Sequence, residues 1–206
     1  MSKRMSGEIR REQIAEAGLT LAAQGVEAVT VEKVAAMIGV VPSALYRHFK
    51  NKGEILDAML DLVGRRVREN VQASVQEAPG DTLLALKALM LRHVGLLVSL
   101  PAMPKLLFSD EIYQHLPDKR AKLFSHIMAF RQAVAGLVSQ GQEAGAIRSD
   151  VDPMDLTMFF LGLMAPAAIF FHLSGGNFDI QAQAERNWPL FEETARPNPA
   201  RQGSAA

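Results

Sequence analysis

The 206-residue chain contains no cysteine, which excludes disulfides, cysteine-type zinc sites, thiol nucleophiles and cysteine-held iron–sulfur clusters. It carries no net charge, with 22 Lys+Arg against 22 Asp+Glu, and only one Trp and two Tyr. Strand-like alternation bounded by turn signals is missing. Long apolar runs are missing too. The stretch from Met158 to Phe171 lies between Asp155 and His172 and contains Pro166. It falls short of the roughly 18 residues expected of a spanning helix, so it reads as a buried helix or a subunit interface. The opening MSKRMSGEIRREQ has no apolar run, which predicts no secretory leader. A chain without disulfides suits a reducing cytoplasm.

What is present is helical. Ala, Leu, Met, Glu and Gln dominate, and 49% of residues are hydrophobic, enough for a substantial core. The apolar periodicity predicts an all-α fold of about nine helices, near 8–24, 31–38, 42–49, 52–77, 82–99, 102–113, 119–144, 153–173 and 180–193. Gly25 and Gly39 supply the positive φ that ends a helix. Asp152, Pro153 and Asp155 are an N-cap, a first-turn proline and a dipole-complementing acid. The proline-bearing tail from Arg196 to Ala206 is expected to be disordered. Charge is uneven. Residues 1–52 hold eight Lys/Arg and five Glu, a net +3, which leaves −3 on the remainder. A basic end on a neutral chain hints at an anionic partner.

Residues 30–56, TVEKVAAMIGVVPSALYRHFKNKGEIL, carry the functional signal. Thr30 is an N-cap, and Val31, Val34, Ala35 and Ile38 form one apolar face. Gly39 turns the chain and Pro42 starts a second short helix whose apolar residues are Ala44, Leu45 and Phe49. Two short helices joined by about three residues including Gly make a helix-turn-helix, whose second helix enters the DNA major groove. Ala35 sits at the expected crossing, where a small side chain permits close approach. Ser43, Tyr46 and Arg47 then face outward with His48 beside them. Asn51 and Glu54 form a capping box, and Lys52 lies at a helix N-terminus that favours phosphate. A solvated helical hairpin is the plainer reading of the same residues.

This stretch resembles the tetracycline-repressor-like (TetR/AcrR) family of bacterial one-component transcription regulators. The matching signature is Thr30, Val34-Ala35, Gly39-Val40, Leu45-Tyr46-Arg47-His48-Phe49, Lys52 and Leu56. The resemblance implies a homodimer with nine or ten helices per subunit. A helix-turn-helix domain over residues 1–51 would precede a ligand-binding and dimerisation domain over 52–195. It implies phosphate contacts from Thr30, Tyr46, His48 and Lys52, with Pro42, Ser43, Ala44 and Arg47 at or near the bases. Val41 departs from the pattern, standing where many relatives cap the recognition helix with Ser.

Between residues 82 and 173 lie six Met and seven Phe, a soft apolar stripe suited to core or to an effector pocket. His93, Phe108, Tyr113, Phe124, Met128 and Met164 are the candidate lining residues for a small hydrophobic effector. Glu111 and His115 lie one helical turn apart, but an exposed acidic turn explains them better than a metal site, which needs three or four ligands. No cofactor is expected. Helix 153–173 is apolar nearly all round and, with 180–193, is expected to form a homodimer interface across a two-fold axis that matches a palindromic double-stranded DNA operator. Catalytic motifs are missing: there is no HExxH, phosphate loop or serine-nucleophile motif. Two other readings keep the helical bundle: a DNA-binding regulator controlled by a protein partner, and a hydrophobe carrier without DNA affinity.

Overall fold

A computed structural model describes residues 2–197, with side chains from Arg10 onward. Residues 198–206 of the expected disordered tail lie outside the described residues, as do the side chains of Lys3, Arg4 and Glu8. Among the described residues every regular element is helical: α1 (Ser2–Ala22), α2 (Val31–Met37), α3 (Pro42–Leu45), α4 (Lys52–Glu77), α5 (Thr82–Ser99), α6 (Ala102–Leu107), α7 (Pro117–Glu143), α8 (Pro153–Leu173) and α9 (Ile180–Ala195). A 3₁₀ turn covers Val26–Ala28 and a π-helical turn Glu111–His115.

Three boundaries differ from expectation. Helix α1 begins at Ser2 instead of near residue 8, because Lys, Arg, Met and Glu there are good helix formers and no proline interrupts them. The regular part of α3 stops at Leu45, and the chain continues as turns in which the His48 and Phe49 N–H groups both donate to the Leu45 carbonyl, at 2.9 and 3.0 Å. The single helix expected over 102–113 is broken after Leu107. There the Ser109 hydroxyl oxygen accepts the Ile112 N–H at 3.3 Å and the Ser109 carbonyl accepts the Tyr113 N–H, giving the backbone a local alternative to a continuous helix.

The chain forms two compact units, Met1–Arg66 with Ser99–His126, and Val67–Val98 with Ile127–Ala206. In the first, Ile14, Leu19, Val34, Leu45, Phe49, Ile55 and Met59 are buried together. A Cβ on Gly18 would lie 2.6 Å from Met59 Sδ, so glycine there sets how closely α1 and α4 pack. In the second unit, Leu86, Leu89, Val94, Val134, Val138, Phe160 and Phe191 are buried. The Phe191 ring meets Phe160 edge-on at 5.3 Å and Trp188 at 5.6 Å.

Helix α8 starts as its sequence dictates. Asp152 Oδ1 accepts the Met154 N–H at 2.7 Å, Pro153 occupies the first turn, and the buried Thr157 hydroxyl donates to the Pro153 carbonyl at 2.8 Å. Pro166 removes one N–H from the middle of α8. Close by, the Leu163 carbonyl accepts from Asn187 Nδ2 of α9 at 3.0 Å, so a side-chain amide pins the two helices together at the interruption. Helices α5 and α8 are both long and apolar enough to cross a membrane by length and composition alone. Each instead packs part of its surface into its unit: Leu83, Leu86, Leu89, Met90 and Val94 on α5, and Leu156, Phe160, Met164 and Ala167 on α8.

Candidate nucleic-acid interface

The first unit builds a rigid seat for a very short helix. Thr30 caps α2, its Oγ1 accepting the Lys33 N–H at 3.3 Å. Ala35 is fully buried, and its carbonyl accepts the Val40 N–H at 2.9 Å across a turn in which Gly39 takes φ +70°. That conformation is disfavoured for any residue with a Cβ, so the tight connection between α2 and α3 depends on glycine. Val41 precedes α3 with extended backbone and no side-chain cap. The missing cap is offset from below: Leu45 and Phe49 are only 1% and 0% exposed. The Arg11 guanidinium lies 4.9 Å from the Phe49 ring centroid, which gives that cation a partner in the fold.

Above this seat, Pro42, Ser43, Tyr46, Arg47 and His48 are exposed and Ala44 is half-buried. These are the expected outward positions, and they form one polar and basic face. Arg10, Arg47 and His48 also rim a cleft of about 150 Å³ floored by Ile14, Ile38, Val40 and Leu45. Such a face offers planar guanidinium and imidazole donors over an apolar base, which suits phosphate and base edges.

Lys52 stands at the helix start that the sequence predicts, with a partner that the sequence does not show. It opens α4, where Asn51 Oδ1 accepts the Glu54 N–H at 3.1 Å. The Glu54 carboxylate reaches the Lys50 N–H, at 2.9 Å, so the capping box closes one residue earlier than the standard pattern. The Lys52 ammonium is not a free cation: it meets the Glu111 carboxylate at 2.9 Å. Glu111 is therefore engaged by a lysine, and among the described residues no group of three or more His, Asp or Glu is arranged to hold a metal.

Sequence reasoning missed a charged seam in the same unit. Asp57 and Asp61, one turn apart on α4, meet Lys119 and Lys122 of α7 at 2.5 and 2.7 Å. His126 joins them, its Nε2 3.7 Å from Asp61 Oδ1, and its ring lies over Gly64, where a Cβ would come within 2.6 Å. The acids at i, i+4 and the bases at i, i+3 and i+7 each mark a helix face. The sequence shows both faces but not that they meet.

The six expected effector residues do not fall in one unit. Phe108, Tyr113 and Phe124 belong to the first and expose their rings. His93, Met128 and Met164 belong to the second, where Met164 is buried. His93 stacks on Phe130 at 4.7 Å, with its Nδ1 buried and without a hydrogen-bond partner. Burial pushes the imidazole down to about 4, because the charged form loses its water there. Phe130 was visible in the stripe of phenylalanines, but nothing in the sequence pairs it with His93.

The expected dimer helices leave apolar surface uncovered. Met158, Phe159, Ile169, Phe170 and Leu173 on α8 and Leu190 on α9 are all exposed, Leu173 to 75%.

Two family models match the chain. Residues 14–59 match the one described as bacterial regulatory proteins, tetR family, and residues 78–171 match the C-terminal domain described as transcriptional regulator SbtR-like. The HTH-type transcriptional repressor KstR2 of Rhodococcus jostii is 28% identical over 184 residues, 86% of each chain. The fatty acid degradation regulator FadR of Bacillus halodurans superposes with a TM-score of 0.76 at 19% identity, over 89% of this chain and 98% of that one. FadR of Bacillus subtilis, solved in complex with stearoyl-CoA, gives 0.73 at 18% identity, over 89% and 98%.

Proposed function

The chain belongs to the TetR family of bacterial regulatory proteins, and from that premise we propose that it is a homodimeric repressor released from a near-palindromic operator by a small, largely apolar effector. The observation that carries the DNA-binding part is the outward face of α3. Ser43, Tyr46, Arg47 and His48 are exposed on α3 and the turn that continues it, a unit anchored by fully buried Leu45 and Phe49 and crossed at buried Ala35. DNA recognition is assigned to residues 1–51, and effector binding and dimerisation to 52–195. Thr30, Tyr46, His48 and Lys52 serve phosphates, and Pro42, Ser43, Ala44 and Arg47 lie at base edges. The protein acts in the cytoplasm, where its operator is, as a binder and not as a catalyst.

Dimerisation is supported by the uncovered apolar residues of α8 and α9, which a second copy would remove from water. An effector with an apolar body is supported by the Met- and Phe-rich second unit, where His93, Met128, Met164 and Phe130 are the residues to test. A neighbour of the same fold, FadR of Bacillus subtilis, has been solved with stearoyl-CoA, so long acyl compounds belong in the first effector panel. For release, the effector must bind the conformation that does not hold DNA more tightly than the one that does.

The test is fluorescence anisotropy of the full chain with duplex from its own upstream region, against random duplex of equal length, as salt is raised. Sequence-preferring binding should outlast random binding, because non-specific affinity is nearly all electrostatic. Replacing Arg47 by Ala should cost about 1–3 kcal/mol on the preferred duplex and little on the random one. Absence of binding to either duplex at low salt would overturn the reading and leave a helical carrier to test.

A further inference from the structure

Lys52 and Glu111 are 59 residues apart, yet the ammonium touches both carboxylate oxygens, at 2.9 and 3.0 Å. Each side chain is about 30% exposed, so the pair stands at the surface of the first unit, within reach of solvent and of any anion arriving there. The surroundings are already supplied with acceptors. Asn51 Oδ1 takes the Glu54 N–H, and the Glu54 carboxylate takes the Lys50 N–H. A phosphate approaching the start of α4 therefore meets two carboxylates and a lysine whose charge is already answered.

We propose that Glu111 is an internal competitor for the DNA phosphate at Lys52, a carboxylate that lowers affinity by holding the lysine in the free protein. The inference rests on the DNA-binding reading above. When phosphate arrives, one anion is exchanged for another at Lys52. The contact then adds little net attraction and releases little counterion, so Lys52 is nearly silent in the salt dependence of binding. Removing the competing charge turns Lys52 into an ordinary phosphate cation.

The experiment compares the full-length wild type with Glu111→Gln, Glu111→Asp and Asp110→Asn, each checked by circular dichroism and melting. Binding is followed by anisotropy across a series of salt concentrations, on upstream duplex and on random duplex. Asp110→Asn removes the same formal charge one residue away, at an exposed position outside the pair. Glu111→Gln should tighten binding to both duplexes by about two- to five-fold per subunit, the worth of a part-exposed ion pair. It should also steepen the salt slope by about one per subunit. Glu111→Asp keeps the charge but withdraws it by one methylene, and should fall between wild type and Glu111→Gln. Asp110→Asn should match wild type.

If Glu111→Gln leaves affinity unchanged or weakens it, Glu111 is neutral or orients Lys52, and the inference is overturned while the DNA-binding reading stands. An equal gain from Asp110→Asn would reduce the effect to bulk charge and overturn it likewise. Wild type that binds neither duplex at low salt would bring down both.

Discussion

Replacing Phe49 by Ala tests how the recognition helix is held. The ring is fully buried, the Phe49 backbone N–H donates to the Leu45 carbonyl, and the Arg11 guanidinium lies over one face of the ring. Truncating a buried Phe to Ala costs about 3–5 kcal/mol in transfer and cavity terms. Loss of the cation–π contact adds about 0.5–1 kcal/mol, since Arg11 is exposed. The total is a large share of the 5–15 kcal/mol that holds a typical domain folded. At roughly 2–4 °C per kcal/mol for a chain of this size, the midpoint should drop by roughly 7–24 °C. Urea titration followed by far-ultraviolet circular dichroism measures the free energy. Arg11→Gln, measured alongside, should lose only the cation–π portion. The four-residue helix cannot persist without its anchor. Well below the melting midpoint, sequence-preferring DNA binding should therefore vanish while weak binding to random duplex survives through the remaining cations. A cost below about 1.5 kcal/mol would mean the ring is not the anchor, and the account of α3 would fail.

Three further outcomes are expected. Ala35→Leu forces a larger side chain into the crossing of α2 and α3 and should destabilise by roughly 1–3 kcal/mol, with loss of operator preference in the anisotropy assay; a stable, DNA-competent variant would place the crossing elsewhere. His93 has a folded-state value near 4 against 6.5 in the unfolded chain. Unfolding therefore takes up a proton between those values: stability is complete above about 6.5 and declines as pH falls toward 4, by on the order of 3 kcal/mol. Denaturation at a series of pH values should show that decline in the wild type and much less of it in His93→Phe, and equal slopes would refute the assignment. Finally, light scattering should find the wild type at twice the 22.5 kDa of one chain and the Phe170→Glu/Leu190→Glu variant at the single-chain mass; a dimeric variant would move the interface off α8 and α9.

Much of the fold could be read from local signals because local physics decides it. Asp152-Pro153, Gly39 and Asn51 each start or stop an element by their own hydrogen bonding or backbone freedom, and the structure puts boundaries at all three. The α6 break was hidden because Ser109 acts through bonds to Ile112 and Tyr113 that ordinary helix propensity does not weigh. The outward face of α3 was legible because alternate burial of Leu45 and Phe49 leaves Tyr46, Arg47 and His48 only one side to occupy. Long-range partners were not. Lys52 reads as a phosphate cation with no partner in the chain until Glu111 is brought beside it, and nothing in the sequence sets Arg11 over Phe49. The effector residues were chosen by composition alone, which says nothing about which helices bring them together.

The uncapped start of α3 has a consequence for how such a protein changes its target. The helix draws almost nothing from its own outward residues: Val41 supplies no cap, and the hold comes from Leu45 and Phe49 beneath. Positions 43, 46, 47 and 48 can therefore be rewritten at little thermodynamic penalty, since exposed substitutions away from caps and cores usually stay within about 0.5 kcal/mol. Evolution, or an engineer, can retune the DNA word that is read while the reader's scaffold is left untouched.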